Sequence, residues 1–190
     1  MNSFLKDIEQ CLAALYKGGV ILYPTDTIWG IGCDATNSKA AEKIYTLKKR
    51  MNKKAMIILL AEEQDLKKYI DQPDLQIFDY IKGIHKPTTV IYERATGLAE
   101  NIINEDGTIG IRIIKDHFCR ELIRSFGKPI VSTSANISGY PPPAVFQDID
   151  IDIKKGVDYI VQHRQDDVTP AQPSAIIRWN KNGDPTIIRN

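Results

Sequence analysis

The sequence predicts an α/β domain, a sheet flanked by helices, and three observations carry that expectation. Segments with apolar residues at helical spacing alternate along the chain with short continuous apolar runs of strand length. Gly or Pro closes many of these segments, which fits sharp passages from helix to strand. The 190 residues are 43% hydrophobic and 26% charged, enough for one sizeable core, so residues 1–190 are expected to fold as a single domain.

The elements follow in order. Phe4, Leu5, Ile8, Cys11, Leu12 and Leu15 fall at helical spacing, and Gly18-Gly19 tolerates the left-handed cap that ends such a helix. Val20-Ile21-Leu22-Tyr23 reads as a short buried strand closed by Pro24. It leads into the polar, aromatic stretch Thr25-Asp26-Thr27-Ile28-Trp29-Gly30-Ile31-Gly32. Ser38 is placed to cap a helix whose Ala41, Ile44 and Tyr45 face the core and which delivers Lys48-Lys49-Arg50 at its end, with Lys53-Lys54 just beyond. Cations there suit the helix dipole as a solvated cap. They would equally clamp a polyphosphate.

Residues 55–60 read as a second buried strand, and 65–70 and 73–82 as surface helices, the latter with Pro73 in its first turn. A strand is expected over 87–92, and another over Thr108 to Ile114, where Arg112 interrupts an apolar run with a charge that must find a partner if it is buried. That partner is a core carboxylate or an anionic ligand. Phe118, Leu122, Ile123 and Phe126 mark a helix stopped by Gly127. Strands are expected over 157–161 and 174–179, and Asn182-Gly183 predicts a hairpin that puts Arg189 on a terminal strand. Residues 165–173 read as a polar, mobile loop, and Pro141-Pro142-Pro143 as a stiff rim over a site.

The stretch around which these elements are organised is Lys128 to Gly139. Pro129, Ile130 and Val131 open a buried strand, and Ser132, Ser134 and Asn136 then alternate along one side of its carboxyl end. Ligands of open α/β sheets sit outside such ends, where hydroxyls and backbone N–H groups hydrogen-bond phosphate oxygens. The same residues would also make a turn that satisfies only its own backbone.

Several function classes fall away. Cys11, Cys33 and Cys119 are odd in number and widely spaced, which fits core packing rather than disulfides or zinc ligation. A formal charge of +1 excludes a globally basic nucleic-acid binder and leaves room for a local basic patch. No Gly-Lys-Ser/Thr phosphate loop occurs, and Gly30-Ile31-Gly32 lacks the third glycine of a dinucleotide fingerprint. His85, His117 and His163 are scattered as surface or loop residues, with no Ser/His/Asp set and no carboxylate cage for a permanent metal. Asp26 suits turn capping, with a Mg²⁺ contact as the other option. No apolar run approaches the roughly 20 residues of a membrane span. Met1-Asn2-Ser3 leads straight into an amphipathic helix, so a cytoplasmic location is expected.

Taken together, Tyr23-Pro24-Thr25-Asp26-Thr27 with Trp29-Gly30-Ile31-Gly32, Lys48-Lys49-Arg50, Pro87-Thr88-Thr89, Arg112, Ser132-Thr133-Ser134-Ala135-Asn136-Ile137-Ser138-Gly139 and Pro173-Ser174 resemble the motif series of the YrdC/Sua5 family. The resemblance runs from about residue 10 to the end. Its strongest part is a Lys-x-Arg followed far downstream by a Ser-x-Asn. It implies a twisted mixed sheet with a concave basic face, in a short single-domain member. It also implies an ATP-dependent synthesis of threonylcarbamoyl-adenylate from L-threonine and bicarbonate, with release of pyrophosphate. That activity serves the modification of adenosine 37 in tRNA, through tRNA-modification proteins that accept the adenylate.

By the resemblance, Thr25, Arg112, Ser132 and Ser174 would bind threonine, with Arg112 on its carboxylate. Lys48, Arg50, Thr108, Ser134, Asn136, Pro142 and Arg189 would line the ATP site, and Lys48 and Arg50 would carry catalysis, with Mg²⁺ on the phosphates. The chain departs from the pattern at Lys49 (glycine), Met51 (proline), His85-Lys86-Pro87 (Pro-Gly-Pro), Ile113-Ile114 (Ile/Val-Pro) and Ala175 (threonine). A carbamoyl-adenylate-forming relative, an RNA-binding protein using the basic run and Tyr45, and an assembly protein without turnover remain as alternatives.

Overall fold

The computed structural model describes residues 4–50, 56–180 and 183–190. The helices are α1 (Leu5–Tyr16), α2 (Ser38–Leu47), α3 (Gln76–Lys82), α4 (His117–Phe126) and α5 (Ile151–Lys155). The strands are β1 (Ile21–Tyr23), β2 (Gly30–Gly32), β3 (Ile57–Leu60), β4 (Thr88–Tyr92), β5 (Ile109–Ile113), β6 (Ile130–Ser134), β7 (Tyr159–Ile160), β8 (Ala175–Trp179) and β9 (Pro185–Arg189). Three short 3₁₀ turns, Glu63–Lys68, Glu100–Ile102 and Phe146–Asp148, complete the described elements. The strands form one sheet in the order β7-β1-β2-β6-β3-β5-β4-β8-β9, an α/β architecture. It is mixed: β1 with β7, β3 with β5 and β4 with β8 are parallel pairs, and the remaining neighbours are antiparallel. No helix among the described residues is long and apolar enough to cross a membrane.

The core lies where the continuous apolar runs predict it. Ile21, Leu22, Tyr23, Ile58, Leu59, Leu60, Ile109, Ile130 and Val131 are buried. Cys11, Cys33 and Cys119 are buried and unpaired. α4 ends at Gly127, whose φ of 74° is the left-handed cap that a glycine takes without a Cβ clash.

Several local expectations are corrected. Residues 30–32, read from sequence only as the end of a polar, aromatic stretch, form a strand, and Gly32 leaves room for the Tyr23 ring beside it. A Cβ on Gly32 would stand 2.7 Å from that ring and 2.5 Å from the Val131 carbonyl, and the Tyr23 hydroxyl donates to that same carbonyl at 3.2 Å. The cap of α2 is Asn37 rather than Ser38, its Oδ1 accepting from the N–H groups of Lys39 and Ala40. The stretch expected as a helix over 65–70 is the tighter 3₁₀ turn 63–68, and α3 begins at Gln76, beyond Pro73. α5 carries no clear periodicity, being five residues long. β8 and β9 pair antiparallel as the hairpin requires, while Asn182 lies outside the described residues, as do Met51, Lys53 and Lys54.

Two tethers have no counterpart in the sequence pattern. The buried carboxylate of Asp7 on α1 accepts from the Tyr159 hydroxyl at 2.6 Å and from the N–H groups of Gln162 and His163 at 2.9 Å each. It fixes the start of the 162–173 segment, whose first half is bound down further: Gln165 donates to the Val161 carbonyl and Arg164 to that of Thr25. His117 and His163 pack against Phe4, with ring centroids 5.3 and 5.1 Å away, so neither is simply a solvated loop side chain.

Candidate active site

The opening of β2, the end of α2, the C-terminal end of β6 and the 173–176 segment converge on a cavity of about 690 Å³. Five cationic residues line it, Lys48, Lys49, Arg50, Arg112 and Arg189, and among the described residues no Asp or Glu does. A low-dielectric concavity with that imbalance concentrates anions. Ser132, Thr133, Ser134, Asn136, Ser138 and Ser174 supply short polar groups around it, and Ile28, Trp29, Met56, Ile57 and Ile176 supply apolar wall.

Arg112 occupies the floor. It is 3% exposed and sits 3.1 Å from the Asp26 carboxylate, whose side chain is 14% exposed. The contact is an ion pair without good hydrogen-bond alignment, since Asp26 Oδ1 and Arg112 Nε are both buried and without a hydrogen-bond partner. Burial raises the carboxyl pKa of Asp26, and the Arg112 charge opposes that rise. Of the two sequence options for Arg112, the core carboxylate is present as Asp26, and the guanidinium also lines the cavity with donors to spare. Asp26 belongs to that pair rather than to a turn cap alone.

Lys48 is not the solvated cap that its place at a helix end allows. It is 3% exposed. Its ammonium donates to the Ser134 carbonyl and, at 2.7 Å, to the Asn136 carbonyl. Burial, then the Arg50 charge, lowers its pKa to about 8.

The backbone places Lys48 there by a Schellman closure of α2, in which Arg50 N–H bonds to the Tyr45 carbonyl and Lys49 N–H to that of Thr46. The left-handed residue such a closure needs is Lys49, at φ 52°. This is the position where the motif resemblance implies glycine.

At the other end of the site, Arg189 reaches back from β9 and donates to the Ser174 carbonyl through Nε at 3.1 Å and Nη2 at 2.9 Å. Burial and the nearby Arg112 charge lower its pKa. The Ser174 hydroxyl shares a hydrogen bond of 2.9 Å with the buried Thr89 hydroxyl, so Thr89 positions it. Asn136 donates to the carbonyls of Ile137 and Tyr140 while lining the cavity.

Nine of the eleven residues selected from sequence line this cavity: Lys48, Arg50, Arg112, Ser132, Ser134, Asn136, Pro142, Ser174 and Arg189. Thr25 and Thr108 do not. The Thr25 hydroxyl donates to the Ile28 carbonyl and meets the Thr27 hydroxyl at 2.9 Å, which shapes the turn that brings Thr27 and Ile28 to the wall. Thr108 lies at the opposite end of β5 from Arg112, its hydroxyl bonded to Asp106 at 2.6 Å and to Asn104 at 2.8 Å. Thr27, Trp29, Thr133 and Ser138 line the cavity although the sequence selects only their neighbours; their membership in the same motifs is the available signal.

The family model Sua5/YciO/YrdC, described as "Telomere recombination", matches residues 13–190. The chain belongs to the Sua5/YciO/YrdC family. Among curated relatives, the Threonylcarbamoyl-AMP synthase of Photobacterium profundum is 35% identical over 144 residues, covering 73% of this chain and 76% of the relative. The crystal structure of P. abyssi Sua5 complexed with L-threonine superposes with a TM-score of 0.84 at 21% identity, over 97% of this chain and 54% of that one. This family member thus spans about half the length of that Sua5. E. coli YciO superposes with a TM-score of 0.82 at 23% identity, over 97% of this chain and 89% of that one. These two likenesses establish the YrdC-like fold.

Proposed function

We propose that this protein condenses L-threonine, bicarbonate and ATP into threonylcarbamoyl-adenylate, releasing pyrophosphate, and that the adenylate serves the modification of adenosine 37 in tRNA in the cytoplasm. The observation that carries the reading is the cavity itself, with five cationic residues and no carboxylate among the described residues on its wall, in a chain whose relatives include Threonylcarbamoyl-AMP synthases.

The reaction needs charge and placement more than a nucleophile. Threonine's amine and bicarbonate give an N-carboxy species and water. A carboxylate oxygen of that species attacks the α-phosphorus of ATP, and the bond to pyrophosphate breaks. Negative charge on the phosphate oxygens would be met by Arg50 and Arg189 at the cavity mouth. Arg112 would hold the threonine carboxylate in its floor, with Ser132 and Ser174 alongside. Ser134 and Asn136, at the end of β6, would face the nucleotide, with Pro142 on the rim. Holding the three reactants together supplies the remaining acceleration. Among the described residues no group of three or more His, Cys, Asp and Glu could hold a metal, and no carboxylate of theirs lines the cavity. A Mg²⁺ ion would accordingly be carried in by the ATP phosphates.

The test is incubation with ATP, Mg²⁺, bicarbonate and each amino acid in turn, with mass detection of the adenylate and assay of pyrophosphate. Threonine-dependent product is expected. An adenylate formed from carbamoyl phosphate without any amino acid would replace this reading by the carbamoyl-adenylate one. Salt-sensitive RNA binding with no pyrophosphate release would replace it by an RNA-binding module.

A further inference from the structure

We infer that Lys48 is a positioning residue, which builds the nucleotide side of the cavity by clamping the turn after β6 and does not itself meet the phosphates. A lysine ammonium has three donors and no acceptor. Here two of them are spent on the carbonyls of Ser134 and Asn136, the latter at 2.7 Å, and the next acceptor, Asn136 Oδ1, is 3.5 Å away on the same turn. The main chain of the same residue closes the grip from the other side, since the Lys48 carbonyl accepts from the Ser138 N–H at 2.9 Å. Residue 48 therefore holds both ends of the 134–138 turn, far away in sequence. That turn presents Ser134, Asn136 and Ser138 to the cavity.

Swinging the head group out to a phosphate would break its bonds to the Ser134 and Asn136 carbonyls, the costly side of hydrogen-bond exchange. Arg50, the next cation but one along the chain, lines the same cavity and is only partly buried. It can bind an anion without dismantling the wall. The left-handed closure at Lys49 sets this division of labour, with residue 48 pointing inward to the turn and residue 50 placed at the opening.

Three measurements test the clamp. Reductive methylation of the wild-type protein, mapped by mass spectrometry, should leave Lys48 unmodified with or without ATP, while Lys49, whose side chain is 68% exposed, reacts. Reaction of Lys48 in ligand-free protein at the rate of Lys49 overturns the clamp, whether or not ATP shields it. Hydrogen exchange of ligand-free protein should speed up at least about tenfold across residues 136–140 in Lys48→Met and stay unchanged there in Arg50→Met; unchanged exchange in Lys48→Met overturns it.

For the nucleotide, Lys48→Arg keeps the charge but not the compact three-donor head. It should lose ATP affinity as fully as Lys48→Met does, about tenfold or more, and recovery to within twofold of wild type would restore the direct phosphate contact. This last arm rests on the function proposed above. If wild type binds no ATP, that function falls, and the labelling and exchange results still judge the clamp. If Lys48→Met does not fold, the wild-type labelling decides alone.

Discussion

Replacing Arg112 by methionine separates what this side chain does for the fold from what it does for a substrate. The guanidinium is 3% exposed and lies 3.1 Å from a carboxylate that is itself 14% exposed. Breaking a buried pair from one side leaves the other charge uncompensated, a loss of about 3–5 kcal/mol. The loss depends on pH with a definite sign. The folded-state pKa of Asp26 is already raised above its usual value by burial, with Arg112 pulling the other way. Without Arg112 it rises further, so between the unfolded and folded values the native state binds the extra proton, and stability falls as pH increases through that window. Urea unfolding of Arg112→Met should therefore show its largest deficit near neutral pH and a smaller one in acid.

Adding Asp26→Asn removes the stranded charge, and most of the lost stability should return in the double variant. Threonine binding by calorimetry should not return, because the group that would hold its carboxylate is still missing. A single variant within about 1 kcal/mol of wild type at every pH would refute the buried pair, since such a cost belongs to exposed pairs. Threonine affinity restored in the double variant would refute Arg112 as the carboxylate partner.

Three further outcomes follow from local geometry. Lys49→Gly relieves a left-handed residue at φ 52° and should raise the melting midpoint, a gain of up to about 1 kcal/mol, whereas Lys49→Val should lower it; equal midpoints for the two variants would refute the strained closure of α2. Gly32→Ala puts a methyl 2.5 Å from the Val131 carbonyl and 2.7 Å from the Tyr23 ring and should cost about 1–3 kcal/mol by chemical denaturation, with an unaltered midpoint counting against the packing of Tyr23 over β2. Cys11, Cys33 and Cys119 are buried, and burial pushes each thiol pKa up. Native protein should therefore resist iodoacetamide at about pH 8 and take up three equivalents only when unfolded; rapid native labelling would contradict the core assignment.

Runs of continuous aliphatic residues, such as 57–60 and the Ile130-Val131 start of β6, were legible because burial on both faces leaves no other composition. β2 was not, because Gly32 leaves room for the Tyr23 ring, and a strand kept small for a neighbour lacks the continuous apolar run that would mark it. The cavity residues divide along the same line. Arg112 stood out as a charge within an apolar run, and Ser132, Ser134 and Asn136 at the carboxyl end of β6 stood out by alternation; both signals lie within a few residues of chain.

What Lys48 does had no such signal. Its partners are the carbonyls of Ser134 and Asn136, 86 and 88 positions away, and a backbone carbonyl has the same chemistry at every residue, so no side-chain code marks the ones that will be gripped. The glycine that the motif resemblance implies at position 49 is a local trace of the arrangement, because the left-handed closure there turns residue 48 inward and residue 50 outward. This chain places lysine at that position and keeps the geometry at φ 52°, accepting local strain of about 1 kcal/mol. A backbone shape retained against the preference of its own side chain is held by something outside the helix, and the grip of Lys48 on the 134–138 turn is the contact positioned to hold it.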